Sequence, residues 1–304
     1  MIKYSLFTIF LIPMVAFSQN RAKLEDFQKQ SQTAKMGCYI ITNPKSASAF
    51  MDFKLNSLAE TGFQPKTSEK DSTGNEICAR ETKDRFAYYK NGYFRYVNRD
   101  VEPFDEGNQV DTGEMKKTAI EIRDQFVPAD KEYKLISKNE TFIMKNPSPI
   151  RNLAYVSYRF VRVLKNRLVL GLTDEIEITL GAGGKLREFR SFEPEYEPFT
   201  ANTRAVVKPV AYEKLFKSKL KKKDFTDIEG KQLDFEQVNI DGVTDAYCAI
   251  TDAGERVIVP HIAVLMSYNK NNEKISQETF LSLRAEEWSN LSGADVEIVN
   301  RSNK

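Results

Sequence analysis

The sequence predicts an α+β protein in which helices pack on curved antiparallel sheets. Three observations carry this. Residues Glu175 to Leu180, "EIEITL", alternate polar and apolar side chains, the period of a strand with one buried face. Asn91-Gly92 sits between two aromatic runs, and a two-residue hairpin turn needs positive φ at both of its central positions. Two segments with apolar residues at helical spacing, 111–126 and 208–223, each precede a series of strand-like runs. A helix of that kind must bury its stripe against the apolar face of a neighbouring sheet.

The chain opens on "MIKYSLFTIFLIPMVAFS", with Lys3 as the one charge, an apolar run from Leu6 to Phe17, and small residues at Ala16 and Ser18. This is the pattern of a cleavable signal peptide over 1–18, cut near Ser18, and it places the protein as secreted or periplasmic. The alternative is a buried N-terminal helix. The run is shorter than the roughly 20 apolar residues of a spanning helix and contains Pro13. No Cys stands at the cleavage point to carry a lipid, and no later segment approaches transmembrane length.

From Gly37 to Pro44, "GCYIITNP" reads as a strand ended by proline. Ser46 then caps a helix whose face carries Phe50, Met51, Leu55 and Leu58, and Gly62 stops it. The aromatic hairpin follows. Pairing across Asn91-Gly92 sets Tyr89 against Phe94 and Ala87 against Tyr96 on one face, leaving Phe86, Tyr88, Tyr93 and Val97 on the other. That second face is either an exposed stacking platform for sugar or peptide, or the amphipathic back of a one-sided hairpin.

Asp111 and Glu114 form a capping-box pattern for the next helix, with Met115, Ala119, Ile122 and Phe126 inward and Pro128 beyond its end. Strand-like runs follow at "EYKLIS" and "ETFIMK", then at Tyr155–Leu164 and Leu168–Leu180, with Asn166-Arg167 at the turn between the last two. Gly181–Gly184 turn the chain into a strand at 185–192. After the linker "EPEYEPFTAN", a helix buries Tyr212, Leu215, Phe216 and Leu220, and "QLDFEQVNI", "VTDAYCAIT", "ERVIVPHIAVLMSYN" and "ISQETFLSLRAEE" read as strands. A helix followed by about four antiparallel strands thus occurs twice, near 111–192 and 208–284, as a duplication of architecture without convincing repetition of residues.

The stretch from Tyr158 to Phe189 resembles the PepSY-like domains, which are related to the propeptide modules of secreted metallopeptidases. Tyr158, Phe160 and Arg162 match an aromatic Tyr-x-Phe-x-Arg strand, Val169 and Gly171 a Val-x-Gly element, and Ile176 and Ile178 the alternating strand. Gly183-Gly184 with Lys185 match the following turn, and Pro260 falls where larger members carry one in the final strand. The resemblance covers roughly 110–270. One departure is Asn166-Arg167 where Asn-Gly is usual, since Arg tolerates positive φ poorly and implies a longer or different turn. The resemblance implies cystatin-like units, helix on curved sheet, and a non-catalytic role in restraining or assisting a peptidase or another exported protein. The domains drawn on this basis are 19–105, an N-terminal α+β region, then 106–200 and 201–304, two PepSY-like units.

The composition is balanced, with 45 Lys and Arg against 43 Asp and Glu, and it gives no global bias toward nucleic acid or anionic membrane. Hydrophobic residues at 41% suffice for a sizeable core. Three cysteines are too few for a disulfide scaffold. Cys38 and Cys78 pair if their strands are neighbours; otherwise all three thiols, Cys248 included, act as small buried apolar groups. A single His and no clustered thiols argue against zinc, and no cofactor motif occurs.

His261 with Cys248 on a neighbouring strand, and the carboxylates Glu175, Glu177, Glu193, Glu195 and Glu197, are the nearest approach to catalytic groups. A satisfied buried imidazole and a solvated sheet face account for both without chemistry. The expectation is an exported, non-catalytic protein-binding module, and the alternative a cell-envelope protein that binds carbohydrate or lipid through the hairpin. The candidate contact surface comprises Tyr88, Tyr93, Arg95, Tyr158 and Arg162, with Lys217 and Lys221 from the seven lysines of 208–223, which serve either an acidic partner or solvent.

Overall fold

The computed structural model describes residues 23, 27, 38–44, 46–70, 76–104, 111–144, 151–170, 174–198, 204–221, 225–226, 229–252, 255–271 and 273–299. Residues 1–18, read from the sequence as a signal peptide, lie outside these. In chain order the elements are β1 (Tyr39–Thr42), α1 (Ala47–Glu60), β2 (Thr67–Lys70), β3 (Glu76–Arg80), β4 (Arg85–Lys90), β5 (Tyr93–Asn98), α2 (Thr112–Phe126), β6 (Glu132–Met144), β7 (Arg151–Leu164), β8 (Arg167–Leu170), β9 (Glu175–Leu180) and β10 (Leu186–Phe192). After these come β11 (Glu195–Pro198), β12 (Arg204–Val207), α3 (Tyr212–Leu220), β13 (Asn239–Asp252), β14 (Glu255–Lys270), β15 (Glu273–Ser282) and β16 (Val296–Val299). The protein is mixed α+β with antiparallel pairing throughout the described ladders.

The chain forms two compact units, one of residues 41–196 and one of 1–40 with 197–304. The division drawn at 106 is not a boundary: the N-terminal α+β region and the segment after it share the 41–196 unit. Within that unit the strand order is β6-β7-β9-β10-β5-β4-β3-β2. Helix, then antiparallel meander, occurs in it twice, as α1 with β2–β5 and as α2 with β6–β10. The two halves join through their last strands, where Arg95 faces Arg190. The order recurs once more in the other unit as α3 with β13–β15.

Local chemistry fixes these elements. The Ser46 hydroxyl caps α1 by accepting from the Ala49 amide, and Asp111 caps α2 by accepting from the Gly113 and Glu114 amides. Asn91 and Gly92 have φ of 51° and 84°, as the hairpin requires. The next hairpin differs from expectation by one residue: its turn is Lys165-Asn166, with φ of 52° and 62°, and Arg167 already belongs to β8. Asn takes the left-handed region more readily than Arg does, so this register spares Arg167. The run predicted as one strand over 168–180 is two, β8 and β9. Phe235, expected in a strand, is buried on a short 3-10 turn before β13.

One core of the 41–196 unit holds Met51 and Leu58 of α1, Met115, Ala119 and Phe126 of α2, and the inward residues of the sheet, among them Tyr89, Phe94, Tyr96, Tyr158, Phe160, Ile178 and Phe189. Phe94 and Phe189 meet edge-to-face at 6.0 Å, and Phe126 stacks on Phe189 at 4.4 Å. The other unit packs Tyr212, Leu215, Phe216 and Leu220 of α3 on Ile262, Val264 and Met266 of β14 and Leu281 of β15. Pro260 is tolerated inside β14 because of its place. It pairs with Tyr247 on one side, while on the other the strand passes from β1, paired at Ile258, to β15, paired from His261.

Candidate functional site

The sheet of the 41–196 unit turns one face to the core and the other outward. Along one outward row Arg159, Glu177, Arg190, Arg95 and Tyr88 stand side by side on β7, β9, β10, β5 and β4. The next row sets Glu175, Phe192, Tyr93 and Lys90 together. Two arginines directly opposite each other repel. Here Glu188 resolves the conflict: its Oε1 accepts from Nε of Arg95 and from Nε of Arg190, both at 2.6 Å. Burial opposes ionisation of Glu188, but the hydrogen bonds and charges of Arg190 and Arg95 outweigh it and hold the carboxyl below its ordinary value. Arg159 binds Glu175 at 2.6 Å and Arg190 also approaches Glu177 at 3.6 Å. Arg95 and Arg190 keep 39% and 43% of their side-chain surface exposed.

Of the sequence-derived candidates, Tyr88, Tyr93 and Arg95 lie on this face and are half-buried. Tyr158 does not. It is 1% exposed and pairs with Ile178 inside the core, because Ala154, Val156, Tyr158 and Phe160 form the inward row of β7. The outward partner of that strand is Arg159, which the sequence reading passed over. Arg162 continues the inward row to the end of β7. Lys217 bonds Glu213 one turn away and lies 5.0 Å from the Phe235 ring, and Lys221 is an exposed residue at the end of α3. The Cys38–Cys78 bridge is not formed: neither thiol is in a disulfide, and Cys38 belongs to one unit and Cys78 to the other.

Arg162 leads to a second cluster, at the end of the same sheet. It lies 5.5 Å from the Tyr133 ring, and the Tyr133 hydroxyl donates to Asp174 Oδ1 at 2.5 Å. Burial pushes the Asp174 carboxyl up to about 7, against the Tyr133 hydrogen bond, which lowers it. Lys54 and Glu193 are each 0% exposed and bonded to one another. The Lys54 ammonium also donates to the Phe126 carbonyl, the last of α2, at 2.5 Å. The rings of Phe50, Phe53 and Phe189 stand 4.9, 5.8 and 5.4 Å from it. Burial lowers the Lys54 pKa, and the Glu193 charge opposes that. Glu193 Oε2 and Arg162 Nε and Nη1 are buried without a hydrogen-bond partner among the described residues. Glu193 had entered as a member of an exposed carboxylate group; it is instead buried away from the exposed Glu197.

His261 and Cys248 are diagonal neighbours on one face of β14 and β13, where Cys248 pairs with Val259 and His261 with Ala246. Nδ1 of His261 bonds the Val259 carbonyl, and burial lowers the imidazole pKa. Burial pushes the Cys248 thiol up to about 12, so it stays protonated at neutral pH. No group of His, Cys, Asp and Glu among the described residues is arranged to hold a metal ion. No helix among them is long and apolar enough to cross a membrane, which says nothing of strands.

Neither a protein-family model nor a curated protein matches this chain. Among solved structures, an uncharacterized protein from Eubacterium rectale ATCC 33656, determined at 1.45 Å resolution, is similar with a TM-score of 0.52 and 10% identity, over 83% of this chain and 84% of that one. At that identity the likeness is one of fold alone.

Proposed function

We propose that the protein is an exported, non-catalytic protein-binding module of PepSY-like kind, built of cystatin-like helix-on-sheet units, that restrains or assists a peptidase or another exported protein. The observation that supports it best is the outward face of the 41–196 sheet. Arg95, Arg159 and Arg190 pair there with Glu188, Glu175 and Glu177, with Tyr88 and Tyr93 alongside. Arginine and tyrosine are the residue types that dominate protein-binding energy, and here three of each charge are fixed in place before a partner arrives. Complementary charge on the partner would set specificity and encounter rate.

The test uses the full mature chain and purified peptidases exported by the same cell. Binding and residual peptidase activity are measured for the wild type and for Arg95→Ala/Arg190→Ala. The reading requires a peptidase or co-exported protein whose affinity the double variant weakens about tenfold or more. Binding that the variant leaves untouched would move the site elsewhere.

A second reading, carbohydrate or lipid contact through the hairpin, draws on the half-buried Tyr88 and Tyr93 of the same face. It predicts glycan or vesicle binding that Tyr88→Ala/Tyr93→Ala removes while the arginine variant retains it.

A further inference from the structure

We propose that Lys54 and Glu193 condense into an intramolecular amide that ties α1 to the end of β10. An amine held against one carboxyl oxygen is within about 3.5 Å of the carboxyl carbon, the range of a reacting pair. Both groups are fully buried, so water neither competes for the amine nor dilutes the pair. A phenylalanine shell encloses the nitrogen.

The hydrogen bonds suit the product better than the ion pair. A lysine ammonium has three protons to place, whereas an amide nitrogen has one. The Phe126 carbonyl is positioned to accept that one. Glu193 Oε1 becomes the amide oxygen. Oε2, which has no hydrogen-bond partner among the described residues, is the atom expelled. The ion pair keeps two charges in a dry interior, which is costly even when they are matched; the amide keeps none.

The step balances without a co-reactant. The ammonium gives up a proton, and the nitrogen lone pair attacks Cδ of Glu193. The C–N bond forms, the bond from Cδ to Oε2 breaks, and Oε2 leaves as water with the two protons shed by nitrogen. Because the nitrogen already donates to the Glu193 carboxylate, the protons pass to it within the pair.

Intact-mass measurement of the purified full chain decides the matter. The expected result is a mass lower than that of the mature sequence by one water, with a branched tryptic peptide joining the segments that contain Lys54 and Glu193. The full, undiminished mass with two separate linear peptides would overturn the proposal and leave a buried ion pair. Lys54→Arg, with unchanged circular dichroism, is expected to show the full mass of its own mature sequence; a mass one water lower in that variant would place the loss elsewhere and overturn the proposal.

Discussion

Lys54 is a residue whose surroundings decide its effect. It stands on the buried stripe of α1 between Met51 and Leu58, where a polar side chain requires a partner. Lys54→Ala strands the Glu193 carboxylate in the core and is expected to cost about 3–5 kcal/mol, read as a lower urea midpoint. The pair Lys54→Met/Glu193→Leu removes both groups and is expected to recover the part of that loss due to the stranded carboxylate, but not the part due to the lost amide tie. Asp174 sets a pH dependence of its own. Its folded pKa of about 7 lies above the ordinary 3.8, so between those values the folded protein holds a proton that the unfolded chain releases. The associated stability is complete below the lower value and is lost as pH rises through the upper one. A thermal midpoint that declines over that window, and a flatter profile in Asp174→Asn, are the expected outcomes. The helical spacing of Lys54 is plain in the sequence, but its partners are not. Glu193, Asp174 and Phe126 come from distant segments, and only tertiary packing brings them to one place.

Among the elements, hairpins and caps were the most legible, because their chemistry is local. Asn91-Gly92, Ser46 and Asp111 each act within a few residues of their own position. The alternation of β7 was legible too, but not its phase. A period of two says that Tyr158 and Arg159 face opposite ways, and the core decides which is inside. The Lys165-Asn166 turn supports a direct test. Lys165 occupies the left-handed region at φ 52°, so Lys165→Gly is expected to stabilise by roughly 0.5–1 kcal/mol in chemical denaturation. Gly181 is the opposite case. A Cβ there would stand 2.6 Å from the Glu102 carbonyl oxygen and 2.7 Å from Val101 Cγ1. Gly181→Ala is therefore expected to destabilise by about 1–3 kcal/mol, with the backbone unable to give way as a long side chain would.

On the scale of the molecule, helix followed by antiparallel meander is the recurring device. It is legible in the sequence for the second and third occurrences but not for the first, because β2 is short, polar and fully exposed and so carries no apolar face to mark it beside α1. The joining of β5 to β10 was illegible for a further reason: nothing in either strand names its partner, and the arginine pair at the seam reads as repulsive until Glu188 is placed beside it. That seam carries the functional argument. Contact through a prearranged face of arginine, glutamate and tyrosine is the output proposed for this protein, and the measurement closest to that proposal is the affinity of the full mature chain for purified co-exported proteins, taken for the wild type and for Arg95→Ala/Arg190→Ala at equal folded fraction. A partner bound by the wild type and released about tenfold or more readily by the variant is the result expected; equal affinity of the two proteins for every partner found would contradict it.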